Sequence, residues 1–123
     1  MIIGIGVDLV EVSRIAEALK KEGFREKVFT GEEIEYCESR KSHAAESYAG
    51  RFAVKEAVGK ALGTGIRPDQ LEKVETLPDA SGIPQVHLLG PMLLSGMARN
   101  VRRIHVSISH TASCAVAQVV LED

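Results

Sequence analysis

At 123 residues and a formal net charge of -2, the chain has the length of one domain and lacks the basic excess that marks nucleic-acid binders. Hydrophobic residues make up 45% of it and aromatics only 4%, with no tryptophan, so the core is built from aliphatic side chains and alanine. No run approaches the roughly 18 apolar residues of a membrane span. The opening residues hold Asp8 and no basic leader, and Cys37 and Cys114 stand alone without metal-ligand spacing. A soluble cytoplasmic protein with free thiols is expected.

In chain order, residues 2–10 alternate Ile3, Ile5, Val7 and Leu9 against Gly4, Gly6 and Asp8. This is the period of a strand with one face stripped of side chains, a face that something approaches closely. Ser13 predicts an N-cap for a helix running to about Glu22, with Gly23 as its stop. Thr30 and Glu33 fit a capping box that opens a second helix. A long third helix is expected over about 43–62, ended by Gly63, Thr64 and Gly65. Past Pro68 come two short strands, about 72–77 and 84–89, joined by the turn residues 79–82. Residues 90–100 read as a short helix with Pro91 in its first turn. The end reads as a hairpin around residues 110–113. The order predicts a single α+β domain over 1–123, with a long helix packed on a mainly antiparallel sheet.

On a helical wheel, Gly50, Ala53, Val54, Ala57 and Ala61 form a small-residue face suited to a sheet, and Arg51 and Lys55 share an arc with Val58 and Leu62. Glu56 falls among Ala49, Phe52 and Lys60, on a flank that is at least partly enclosed. Either it pairs with Lys60 one turn on, or it does chemistry. Asp8 raises the same choice between a solvated strand-end acid and a partner for Glu56 in holding Mg²⁺, which takes one or two carboxylates with waters and phosphates. His110 ends a strand beside Ser109 and Thr111, where an imidazole could bond a phosphate or act as a base; His105 reads as structural. Backbone N–H groups of residues 63–65 could face a phosphate. No GxSxG is present, which removes a serine-hydrolase reading. Arg14, Ala18, Lys21 and Arg25, with Phe24 beside them, recur along one helical stripe, either a solvated face or a dock for an acidic partner.

The segments 4–15 (GIGVDLVEVSRI), 51–66 (RFAVKEAVGKALGTGI), 81–86 (SGIPQV) and 106–120 (VSISHTASCAVAQVV) together resemble the holo-[acyl carrier protein] synthases, the small bacterial 4′-phosphopantetheinyl transferases. The resemblance implies the phosphopantetheinyl transferase fold as a homotrimer with active sites between subunits. The implied reaction is a Mg²⁺-dependent transfer of 4′-phosphopantetheine from coenzyme A to a serine of apo acyl carrier protein, releasing adenosine 3′,5′-bisphosphate in support of fatty-acid synthesis. By position it makes Asp8 and Glu56 the metal ligands and sets Lys60 and His110 on coenzyme phosphates, with Ser109 and Thr111 beside them. Gly63, Thr64 and Gly65 would lie along the nucleotide, and Arg51 would assist a phosphate or support a carboxylate. Glu56 or a metal-ordered water would take the seryl proton. Arg14, Ala18, Lys21, Phe24 and Arg25 match the surface that meets the acidic carrier. Two positions depart from the pattern, Ile83 where lysine is common and Cys114 where an aromatic is frequent. The competing readings are a Mg²⁺-dependent hydrolase of coenzyme A or nucleotides and a non-catalytic trimeric binding module.

Overall fold

Two glycines on the first strand set the packing of the whole chain. The protein, seen here as a computed structural model, is described over residues 1–123. Strand β1 (Ile2–Glu11) leads into α1 (Val12–Leu19), α2 (Phe24–Val28), α3 (Gly31–Ser39) and the long α4 (Ala44–Leu62); β2 (Val74–Pro78), β3 (Pro84–Leu88), α5 (Gly90–Ala98), β4 (Arg103–His110) and β5 (Cys114–Glu122) follow. β1, β5 and β4 form an antiparallel three-stranded sheet in that order, and β2 and β3 form a separate antiparallel pair. α4 lies across one face of the larger sheet. A Cβ on Gly4 would sit 2.1 Å from the Ala61 carbonyl oxygen, and one on Gly6 2.0 Å from that of Ala57. Backbone therefore meets backbone, and the close approach expected at the bare face is that of the helix. β5 answers with Ala115, Ala117, Val119 and Leu121, all buried against Ala53, Ala57 and Ala61.

The sheet's other face is open. Ile5, Val7 and Leu9 are 64%, 53% and 69% exposed, alongside the half-buried Val116 and Val120 that the register sets opposite Leu9 and Ile5.

The second side of α4 is held by charge. Glu33 and Lys55 are both fully buried. Lys55 Nζ donates to Glu33 Oε1 at 2.8 Å and to the Val74 carbonyl, and Glu33 Oε2 accepts from the Thr76 N–H at 2.9 Å. The predicted capping box is present, with Glu33 Oε1 also accepting from Thr30 N–H at 3.0 Å. One carboxylate thus caps α3, anchors β2 and neutralises α4. Burial pulls the Lys55 ammonium below its ordinary range, with Glu33 opposing.

Three boundaries differ from the sequence expectation. α1 begins at Val12, not after a Ser13 cap, because the Val12 N–H is taken by the Ser113 carbonyl at 2.9 Å in the β4–β5 turn. It ends at Leu19, and Gly23, with φ of 83°, opens α2 instead of closing α1. β2 starts at Val74 because a 3-10 turn occupies Pro68–Lys73. The α+β class, the long helix, the Pro91 helix and the final hairpin match the expectation.

Candidate functional site

Asp8 follows Gly4 and Gly6 on the bare face of β1, paired opposite Ala117. Because the glycines draw α4 onto the strand, the helix turn 56–60 overhangs the β1 edge. Lys60 Nζ donates to Asp8 Oδ1 at 3.1 Å and to the Val7 carbonyl at 2.9 Å. The pairing of Lys60 with Glu56 therefore does not form; the lysine reaches the strand instead, and no cationic group lies within ion-pairing distance of the Glu56 carboxylate. Burial, followed by the like charge of Asp8, raises the Glu56 carboxyl above its ordinary range, against opposing contributions from Lys60 and Arg14.

Two repelling carboxylates on hard oxygen atoms, one of them without a counter-ion, fit a small divalent cation such as Mg²⁺. No group of three or more His, Cys, Asp or Glu side chains is arranged to hold a metal ion; Mg²⁺ takes one or two protein carboxylates and fills its octahedron with water and phosphate. A hollow of about 340 Å³ adjoins Lys60 along this edge, lined by Ile5, Gly6, Val7 and Gln118.

His110 stands elsewhere on the same face. It is paired through Ala115 to Val10, so strand spacing sets its Cα roughly 12 Å from that of Asp8. Its Nδ1 lies 3.1 Å from Glu46 Oε2 at the start of α4, and His43 Nδ1 lies 3.4 Å from the same oxygen. Ser109 is in register with Val116, opposite Leu9, and so belongs to the open face. Thr111 Oγ1 accepts from the N–H groups of Ser113 and Cys114 and shapes the hairpin turn.

Residues 63–65 leave the end of α4 as an exposed loop. Gly63 has a φ of 79°, and the Gly65 N–H returns to the Gly59 carbonyl at 3.0 Å. A Cβ on Gly59 would meet the Gly65 carbonyl carbon at 2.7 Å. Arg99 Nη1 donates to the Leu62 carbonyl and ties α5 to this end. Arg51 is buried on the side of α4 that faces α3, its guanidinium 4.4 Å above the Tyr36 ring and its Nε without a partner. Five residues of helix separate it from Glu56 by about 140° of azimuth.

The basic stripe is not continuous. Arg14 and Ala18 lie on α1, Lys21 lies past its end, and the turn through Gly23 redirects the chain before Phe24 and Arg25. Phe24 is half-buried against Phe29, with ring centroids 6.3 Å apart. Arg25 Nε donates to the Tyr48 hydroxyl at 3.1 Å and lies 3.3 Å from Glu38 Oε2. The sequence reasoning missed Glu33, Lys55 and Glu46 as partners. A lysine on an arc with Val58 and Leu62 was the one visible sign.

The 4′-phosphopantetheinyl transferase superfamily model matches residues 4–117. A curated holo-[acyl-carrier-protein] synthase from Treponema denticola is 41% identical over 122 residues, covering 99% of each chain. Among solved structures, the holo-[acyl-carrier-protein] synthase of Neisseria meningitidis superposes with a TM-score of 0.86 at 35% identity over 100% of both chains. That of Bacillus anthracis, in complex with CoA (3′,5′-ADP), gives 0.81 at 38% identity, covering 98% of this chain and 96% of its own.

Proposed function

This chain belongs to the 4′-phosphopantetheinyl transferase superfamily, and we propose that it divides its reaction between two clusters, Asp8 with Glu56 and Lys60 on one protomer and His110 on a neighbour. It transfers the 4′-phosphopantetheine moiety of coenzyme A to apo acyl carrier protein. The observation that carries the assignment of chemistry is the like-charged pair Asp8 and Glu56 beside Lys60.

Asp8 and Glu56 would hold Mg²⁺, which when bound would neutralise charge on the coenzyme pyrophosphate and on the departing phosphate. Lys60, with its ammonium 56% exposed, turns to a coenzyme phosphate. The loop 63–65 lies along the nucleotide, and Ser109, His110 and Thr111 complete the phosphate contacts, with Arg51 supporting them from behind α4. The nucleophile is the carrier's serine. Its Oγ forms the new bond to the phosphorus, the bond to adenosine 3′,5′-bisphosphate breaks, and the seryl proton passes to Glu56 or a water beside it. Arg14, Ala18, Lys21, Phe24 and Arg25 meet the acidic carrier, and the holo product serves fatty-acid synthesis in the cytoplasm. Ile83 lies at the β2–β3 turn and Cys114 opposite Glu11, both apart from the Asp8 and Glu56 flank.

The homotrimer is supported by two features. The exposed row Ile5, Val7 and Leu9 is an apolar sheet face of the kind proteins cover, and the distance from Asp8 to His110 leaves each protomer with half of the phosphate contacts. Sedimentation is expected to give three times the 13.3 kDa chain mass. The decisive experiment is the mass of apo carrier after incubation with the protein, coenzyme A and Mg²⁺. The carrier gains one phosphopantetheine; an unchanged mass rejects the assignment, and release of the bisphosphate without carrier identifies a hydrolase.

A further inference from the structure

Glu46, with two histidines on one of its oxygens, is a titratable group that the reaction above leaves without a task. Glu46 lies in the first turn of α4, its side chain 17% exposed, with His110 Nδ1 at 3.1 Å and His43 Nδ1 at 3.4 Å, both on Oε2. The His43 contact is a hydrogen bond; that of His110 is an ion-pair distance, which sets the Nδ1 edge of the ring at the carboxylate and leaves Nε2 as the atom turned away from it. His110 is 40% exposed and His43 65%, so a ligand can reach the first while Glu46 stays behind it. A phosphate, which only accepts, requires an N–H from Nε2. The carboxylate behind Nδ1 compensates the charge that the ring then acquires. The same relation of carboxylate, imidazole and substrate orients histidines in many unrelated sites.

We infer that Glu46 is a positioning residue for coenzyme binding: its carboxylate, at the Nδ1 edge of His110, holds the ring so that an Nε2–H meets a coenzyme phosphate and balances the charged ring that this contact needs. The inference rests on the proposed contact between His110 and that phosphate. Since the contact holds the ground state as well as the transition state, its loss belongs in KM more than in kcat.

The test is a double-mutant cycle with an independent spectroscopic arm. Glu46→Gln keeps the size and the oxygen but removes the charge, and is expected to raise KM for coenzyme A about tenfold, the difference between a charge-assisted and an ordinary hydrogen bond, with kcat within about twofold. In a His110→Ala background the same change is expected to add nothing further, because the residue through which Glu46 acts is gone. The ring ¹⁵N signals of His110, read with coenzyme A bound, are expected to show both nitrogens protonated in the parent and a smaller protonated fraction in Glu46→Gln. Unchanged ring signals in Glu46→Gln overturn the inference whatever the kinetics do. So does an equal KM penalty from Glu46→Gln with and without His110. If instead the ring signals move while KM for coenzyme A is unchanged in His110→Ala itself, the phosphate role of His110 is rejected, and the positioning role falls with it.

Discussion

Lys55 and Glu56 are neighbours in sequence and opposites in circumstance. Lys55 turns toward α3 and β2, has no exposed surface, and is met by Glu33 and the Val74 carbonyl. Glu56 turns toward the β1 edge, is partly exposed, and meets a second carboxylate with no cation within ion-pairing distance. One side of α4 has its charge neutralised by the protein itself; the other leaves the neutralising to something that binds. A helix a single residue apart in register thus separates what makes the fold unique from what makes the site reactive. The separation is testable because each side has its own readout.

The largest effect is expected on the satisfied side. Lys55→Met leaves Glu33 charged and unpaired in the core, which costs about 3–5 kcal/mol, read as a lowered midpoint in urea unfolding. Adding Glu33→Leu removes the orphaned charge and is expected to recover a large part of the loss, though the Thr30 and Thr76 N–H groups lose their acceptor. If the single variant were as stable as the parent, the buried pair would not hold α4.

Next comes Glu56→Gln, expected to lower Mg²⁺-supported transfer at least about 10²-fold, near 3 kcal/mol of barrier, with an unchanged circular dichroism spectrum. Should the variant unfold while its folded fraction keeps full activity, the contrast between the two sides fails.

The smallest effect sharpens the contrast by its sign. Glu56 has its carboxyl raised from an ordinary 4.5, so the folded protein disfavours its ionised form relative to the unfolded chain. Stability from this group is present at low pH and falls as pH rises through the range from 4.5 upward. Without metal at neutral pH, Glu56→Gln is therefore expected to melt about 1–2 °C higher than the parent, and the difference is expected to vanish below pH 4. Divalent cation is expected to raise the melting temperature of the parent and not of the variant.

Much of this was readable in advance. The alternation of Gly4, Gly6 and Asp8 announced a strand that something touches, and the small residues of α4 announced what touches it. The Thr30 and Glu33 box was visible because its partners are three residues apart. What lay hidden were pairings across the chain. Glu33 meets Lys55 22 residues away, Lys60 meets Asp8 at a separation of 52, and His110 finds Glu46. Local spacing offered Lys60 the nearby Glu56, and the fold gives it Asp8, at 3.1 Å on the glycine-bared strand. The end of α1 was misjudged for a related reason. A glycine with positive φ stops one helix or starts another, and sequence alone does not say which, so a stripe drawn through Arg14 and Arg25 on one axis crosses two.

The two tyrosines, in a chain without tryptophan, stand beside guanidinium groups on the Glu33 and Lys55 side. Tyr36 lies beneath Arg51, and Tyr48 accepts from Arg25 while its hydroxyl donates to Glu38 at 2.6 Å. Every tyrosine signal of this protein therefore originates on that side of α4, and the Asp8 and Glu56 flank carries no tyrosine. Tyrosine absorbance or fluorescence will follow the melting of the helical layer and will pass over local loosening at the β1 edge, which a label or an exchange measurement on that strand will detect.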